Sequence, residues 1–151
     1  MYDLKIIEYN SPEYREMLLL RTMLLRTPLG LQFSDADLKK EINDLFIGCF
    51  FPEKNLLVGC CVLTPMDEHF VQLRQMAILK DFQRQGVGRQ LIAFAEKEAV
   101  LSGFSEMVIH AREKAVPFYE KAGYQSQGAI FTEVTLPHLK MHKRLEKREK
   151  S

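Results

Sequence analysis

The chain has 151 residues, a length that suits one compact domain with a sizeable core. Its 21 basic and 20 acidic side chains nearly cancel, which removes any broad electrostatic case for nucleic acid as a partner. No apolar run approaches the ~20 residues needed to span a bilayer, and Met1-Tyr2-Asp3-Leu4-Lys5 lacks the basic flank and long apolar core of a signal peptide, so no membrane partner and a cytoplasmic location are expected.

Three cysteines, two of them adjacent (Cys60, Cys61) in an apolar run, argue against a disulfide framework and for buried free thiols. The four histidines lack ligand spacing, so no metal site is expected.

Leu4 to Tyr9 reads as a first strand. Ser11-Pro12-Glu13 is a helix start, with an N-cap, proline at the first position and an acid in the first turn. Met17, Leu18, Leu20, Leu24 and Leu25 carry helical spacing up to Pro28. Leu29 to Phe33 is a connector. Ser34 caps a second helix with Asp35 and Asp37 in its first turn and Leu38, Ile42 and Leu45 on one face. Phe46 to Phe51 and Leu56 to Leu63 flank the turn Pro52-Glu53-Lys54-Asn55 and read as an antiparallel hairpin. After the turn Thr64 to Glu68, Phe70 to Leu79 is the next strand.

Val87, Leu91, Phe94, Ala95 and Ala99 mark a long amphipathic helix that ends near Ser102-Gly103. Met107 to His110 is a buried strand, Pro117 to Tyr119 lies on a short helix ended by Gly123, and Tyr124 to Thr135 and His138 to Leu145 close a mixed sheet. Glu146 to Ser151 is a charged tail, expected to fray. There are no internal repeats and no linker, so residues 1–151 are expected to form a single domain.

The most informative stretch joins the strand ending at Leu79 to the long helix: Gln83-Arg84-Gln85-Gly86-Val87-Gly88. Two glycines at a helix start let backbone N–H groups converge without side-chain interference, and the helix end carries partial positive charge. That makes an anion seat for a phosphate or pyrophosphate. A P-loop would need Gly-Lys-Ser/Thr, but Gly88 is followed by Arg89-Gln90. A dinucleotide fingerprint would need a third glycine where Leu91 stands and a strand directly before the loop, whereas Lys80 to Gln85 intervene.

The remaining reading is a resemblance. Gln83, Gly86 and Gly88 match every fixed position of the Gln/Arg-x-x-Gly-x-Gly/Ala pyrophosphate loop of the GNAT family of N-acetyltransferases. Leu73 to Phe82 resembles the strand and connector that precede that loop. Ala115 to Tyr124, with Phe118-Tyr119-Glu120-Lys121-Ala122-Gly123-Tyr124, is similar to the family's second signature. The resemblance covers residues 73–124 and implies an α/β fold, layered, with a mixed, mostly antiparallel sheet of about seven strands and about four helices. It implies acetyl-coenzyme A as co-substrate and direct transfer of acetyl to a primary amine, with a small molecule favoured as acceptor. Rival readings are a coenzyme-binding sensor without turnover, a longer acyl donor, and a protein amine. Homodimerisation through the sheet edge or the final strands is open.

The same resemblance assigns the site. Backbone N–H groups of Arg84, Gln85, Gly86, Val87, Gly88 and Arg89 would hold the pyrophosphate, with Gln83 opening the loop. Met76, Ala77 and Ile78 would offer main-chain groups to the pantetheine arm, where the strand splays from its neighbour. Tyr119 matches the tyrosine that in many relatives protonates the departing thiolate, and a phenol with a pKa of ~10 carries the needed proton. Glu133 and His138 lie on strands that flank the acceptor side in this fold and are candidates for the base; His110, at a strand end near the splay, is a further one. Arg21, Arg26 and Leu29 fall where the variable acceptor loop begins; the two arginines read either as a solvated helix face or as receptors for a carboxylate or phosphate on the acceptor, which guanidinium suits. Many relatives carry asparagine seven positions before the signature tyrosine as a coenzyme contact. Here that position is Arg112, which can reach a phosphate or face water.

Overall fold

A computed structural model of the chain describes residues 1–145; the predicted charged tail lies outside them. Seven strands form one sheet: β1 (Asp3–Ile7), β2 (Leu45–Phe51), β3 (Leu56–Pro65), β4 (Phe70–Ile78), β5 (Glu106–Arg112), β6 (Gln125–Glu133) and β7 (Leu136–Arg144). Their order across the sheet is β1-β2-β3-β4-β5-β7-β6. Only β4 and β5 run parallel, and every other neighbour is antiparallel. Four α-helices accompany the sheet: α1 (Pro12–Arg21), α2 (Asp35–Lys39), α3 (Val87–Leu101) and α4 (Val116–Lys121). The crossover between β4 and β5 is α3, as a parallel pair requires.

The sheet has a layer on each face. Val87, Leu91 and Ala95 of α3 pack on Ile47, Val58, Cys61, Leu73 and Met107. Tyr14, Met17 and Leu20 of α1 pack on Phe46, Phe50, Leu57 and Val62. β2 and β3 are therefore buried on both sides, which is why they read as continuous apolar runs. Cys49, Cys60 and Cys61 are free and buried there, as expected.

Two features of β4 create the site. Gln75 has φ +56°, and the pairing of β3 with β4 jumps from Cys60↔Ala77 to Val62↔Arg74. This is a β-bulge, which bends the strand and reverses side-chain parity beyond it. Val71 and Leu73 accordingly join the α3 layer, whereas Ala77 joins the α1 layer. Past the bulge β4 leaves β5: their pairing runs from Phe70↔Glu106 to Leu73↔Ile109 and ends. Main-chain groups of β4 beyond Leu73 thus face a gap rather than a neighbouring strand.

The first two helices depart from the sequence pattern. Ser11 caps α1 as predicted, accepting from Tyr14 N–H at 3.1 Å. The helical spacing up to Pro28 is real, but the α-helix ends at Arg21. It passes into a π-helical turn, Thr22–Arg26, and then a tight turn, Thr27–Leu29. Pro28 has no N–H to continue the ladder, and Gly30 closes the segment at φ +71°. Ser34 and Asp37 make the predicted capping box of α2. That helix stops at Lys39, so Ile42 is 62% exposed and Leu45 opens a strand. The chain turns inward there to bury Glu41, a residue the apolar pattern did not weigh.

Candidate active site

The glycine-loop half of the site is built from backbone. Arg84 (φ +63°) and Gly86 (φ +84°) are both left-handed, so successive N–H groups turn toward a common point. No side chain caps α3, which leaves its first N–H groups available to an anion. Gly88 serves a close approach instead: a Cβ there would meet Phe118 Cζ at 3.0 Å and Ile78 Cδ1 at 3.1 Å, and those side chains would have to give by a few tenths of an ångström. The loop is braced from within. Gln83 Nε2 donates to the Ile78 carbonyl at 2.9 Å, Gln85 Nε2 to the Asp81 carbonyl at 3.0 Å, and Tyr2 Oη to Gln85 Oε1 at 3.0 Å. The side chains of Gln83 and Gln85 thus stiffen the loop while Arg84 and Arg89 face solvent. An uncapped helix end, a left-handed glycine turn and β4 main chain left open on its β5 side fit a pyrophosphate followed by an extended amide arm. Met76, Ala77 and Ile78 lie on the splayed segment of β4.

A cavity of about 500 Å³ opens where β4 and β5 part. Met76, Tyr119, His110, Glu133 and His138 line it, together with Arg26, Arg74 and Arg112. Tyr119 is 8% exposed, and burial, reinforced by Cys61 nearby, raises its pKa above the ordinary phenol value. It holds its proton firmly at neutral pH. Its ring is fixed edge-to-face between Phe118 (5.1 Å) and Tyr124 (6.1 Å). Tyr124 donates to Glu96 Oε2 at 2.8 Å, and Lys143 Nζ holds the same carboxylate at 3.0 Å, so the signature helix is tied to α3 and β7.

The three base candidates meet at one point. His110 Nδ1 donates to Glu133 Oε1 at 2.9 Å; a carboxylate can only accept, so Nδ1 carries the proton, and in the neutral ring Nε2 is the nitrogen with the free lone pair. His138 Nδ1 donates to the Leu136 carbonyl at 2.9 Å, and its Nε2 lies 3.8 Å from Glu133 Oε2, beyond hydrogen-bond length. His138 is 3% exposed. Phe131 packs on both imidazoles, edge-to-face with His110 at 5.2 Å and tilted against His138 at 5.9 Å. Register makes this possible: β5 pairs Arg112↔His138, and the β6–β7 hairpin pairs Phe131↔His138 and Glu133↔Leu136. The hairpin turns at Val134 (φ +44°) and Thr135 (φ +67°). Left-handed backbone at β-branched residues costs about 1–3 kcal/mol each, so strain sits at the cavity rim, which Val134 also lines.

The arginines divide. Arg21 is fully buried and forms a two-pronged pair with Glu41, Nη1 to Oε1 at 3.0 Å, while Tyr14 Oη donates to the same carboxylate at 3.1 Å. It is neither a solvated helix face nor a free anion receptor. Arg74 Nη1 donates to Thr64 Oγ1 at 3.1 Å and lies 3.7 Å from Asp44. Arg26 and Arg112 both donate to the Leu25 carbonyl, at 3.0 and 3.5 Å. Arg112 therefore reaches toward the α1 side of the splay. Leu29 is half-buried in the turn before Gly30 and does not line the cavity.

Sequence reasoning passed over Gln75, Arg74, Leu25, Phe131 and Glu96. The bulge at Gln75 had no signal, since glutamine is not a residue that marks left-handed backbone. Its Oε1 is buried beside the cavity without a donor among the described residues. A register built from the predicted final strands could have found Phe131, which stands opposite His138.

Residues 25–145 match the family described as acetyltransferase (GNAT) domain. The uncharacterized N-acetyltransferase YjcF of Bacillus subtilis is 34% identical over 79 residues, covering 52% of this chain and 56% of its own length. YyaT of the same organism is 29% identical over 79 residues, covering 52% and 53%. The chain spans about half the length of these curated relatives. A solved structure of a Lactobacillus plantarum protein described as an N-acetyltransferase superposes with TM-score 0.80 at 28% identity, covering 95% of this chain and 99% of that one. An aminoglycoside 6'-N-acetyltransferase complexed with coenzyme A shares the fold at TM-score 0.77 and 17% identity, over 98% and 99%. With the family match covering most of the sequence and the glycine loop standing at the helix start, the chain belongs to the GNAT acetyltransferase family.

Proposed function

We propose that this protein transfers acetyl from acetyl-coenzyme A directly to the primary amine of a small molecule. The observation that carries the reading is the splay of β4 from β5. It leaves open main chain between an uncapped glycine-loop helix on one side and the His110–Glu133 pair on the other, with Tyr119 in the same cavity. Acetyl-coenzyme A supplies the activated thioester. The chain supplies four functions around it. N–H groups of Arg84 to Arg89 hold the pyrophosphate. Main-chain groups from Met76 to Ile78 align the arm and polarise the carbonyl.

His110 Nε2, with Nδ1–H held by Glu133, takes a proton from the amine as nitrogen bonds to the acetyl carbon. Tyr119 Oη gives its proton to the sulfur as the carbon–sulfur bond breaks. Glu133 is the positioning residue for His110, and His138 buttresses the pair through Phe131. His110 suits the base better than His138 because Nε2 of His138 already faces Glu133, whereas that of His110 is free of it. The fully buried thiols of Cys60 and Cys61 are unsuited to a covalent acyl intermediate: burial pushes Cys60 up to about 12 and raises Cys61 as well.

The test is thiol release from acetyl-coenzyme A across an amine panel, with Tyr119→Phe as the diagnostic variant. Retained coenzyme affinity with kcat lowered about tenfold or more supports these roles. Unchanged turnover removes Tyr119 as proton donor.

A further inference from the structure

The acceptor cavity has two electrically different walls. On one, Glu133 joins the two histidines. On the other stand Arg26, Arg74 and Arg112, with Arg21 buried behind them, and the four guanidiniums are not equivalent. Arg21 is neutralised by Glu41 and Arg74 lies against Asp44. Arg26 and Arg112 have no carboxylate within 4 Å among the described residues. Both lean on a single backbone oxygen, that of Leu25, so two cations without a contacting carboxylate converge there, Arg26 feeling Asp37 only from a distance. The neighbouring charges are felt: burial first, then Arg21, Arg112 and Arg74, lower the pKa of Arg26. Phe33 holds the arrangement from outside, its ring centroid 4.8 Å from the Arg21 guanidinium and 4.6 Å from that of Arg26. Like charges placed together at the edge of a cavity cost stability, and an anion between them relieves it.

We propose that Arg26 and Arg112 form an anion clamp, and that the acceptor is a short amine bearing a carboxylate or phosphate at its far end. This rests on the acetyltransferase reading of the same cavity. His110 and Arg112 stand two residues apart on β5, so they share a face with a spacing of about 7 Å. The amine end of such a molecule meets the His110–Glu133 wall, and its anionic end meets the guanidiniums. The clamp also gives Arg112 a task on the acceptor side, where its contact with Leu25 puts it.

The experiment uses four amines of similar size: β-alanine, 2-aminoethylphosphonate, β-alaninamide and 1,3-diaminopropane. Each is assayed for thiol release and titrated calorimetrically into the protein saturated with desulfo-coenzyme A. An anionic amine is expected to exceed the amide by about ten- to hundredfold in kcat/KM and in affinity, with the diamine weakest. Whichever of carboxylate and phosphonate leads identifies the anion. Arg26→Gln and Arg112→Gln should each collapse that ratio through KM for the anionic acceptor, with Arg112→Lys restoring part of it. The clamp is overturned if the amide or diamine binds as well as the anionic amines. It is also overturned if neither glutamine variant alters the ratio, or if Arg112→Gln weakens acetyl-coenzyme A binding alone. Absence of acetyl-coenzyme A binding would instead defeat the acetyltransferase reading, and the same amines titrated into the coenzyme-free protein would still report on the clamp.

Discussion

The two halves of the cavity are made from different materials. The half proposed for the coenzyme is contiguous backbone: one strand, one loop and one helix start, all between Met76 and Arg89. The half proposed for the acceptor is side chains from segments far apart in sequence. It draws Arg26 from the π-helical turn, His110 and Arg112 from β5, Glu133 from the end of β6 and His138 from β7. A backbone site needs particular residues at fixed offsets and so leaves a motif. A side-chain site needs only that distant residues arrive together, and it leaves a register.

Substitutions that strike one half should leave the other's readout alone. The largest effect expected is structural. Arg21→Met leaves the Glu41 carboxylate buried with Tyr14 as its remaining partner, and should cost about 3–5 kcal/mol in urea unfolding. Adding Glu41→Leu should recover much of that loss; no recovery would mean that Arg21 acts through packing rather than charge. Next, His110→Ala should lower kcat by about 10²–10⁴ while affinity for acetyl-coenzyme A, measured calorimetrically, stays as it was. An equal loss of coenzyme affinity would erase the separation between the halves. Gly86→Val reverses that pattern. A β-branched side chain at φ +84° is strained, and coenzyme affinity should fall about ten- to hundredfold, with acceptor KM little changed.

The last effect separates the core from both halves. Cys49, Cys60 and Cys61 and the tyrosines Tyr14, Tyr119 and Tyr124 all have pKa values raised first of all by burial. Above the unfolded thiol value of about 8.5 the unfolded chain releases protons that the folded chain keeps. Stability is therefore full below about pH 8 and falls as pH rises, by about 1.4 kcal/mol per pH unit for each thiol titrating. Urea unfolding at about pH 7.5 and about pH 10 checks this; stability that is flat over the interval would mean that the thiols are accessible in the fold. Activity should show no basic limb from Tyr119 below about pH 10, since its pKa moves upward.

How far the sequence carried follows the same division. The strands, α3 and the glycine loop were legible because periodicity, capping and left-handed turns are local. The mixed sheet of seven strands and four α-helices stands as read. The short helix that carries Tyr119 was legible through its neighbours, Pro117 ahead of it and Gly123 behind. The pairing of His110 with Glu133, 23 residues apart, was not, because it depends on how β7 sits between β5 and β6. Arg21 misled because its position on α1 says nothing about Glu41, 20 residues on. Ile42 misled because a helical spacing continued past the point where burial of Glu41 turns the chain.

The central claim is that the Gly86–Gly88 loop and the splayed β4 hold a coenzyme A thioester. Calorimetric titration with acetyl-coenzyme A, using desulfo-coenzyme A and ATP as controls, tests it most directly. Both coenzymes should bind in the micromolar range or tighter, roughly −8 kcal/mol or better, with ATP far weaker. No binding, or ATP binding equally well, would contradict that claim at its base.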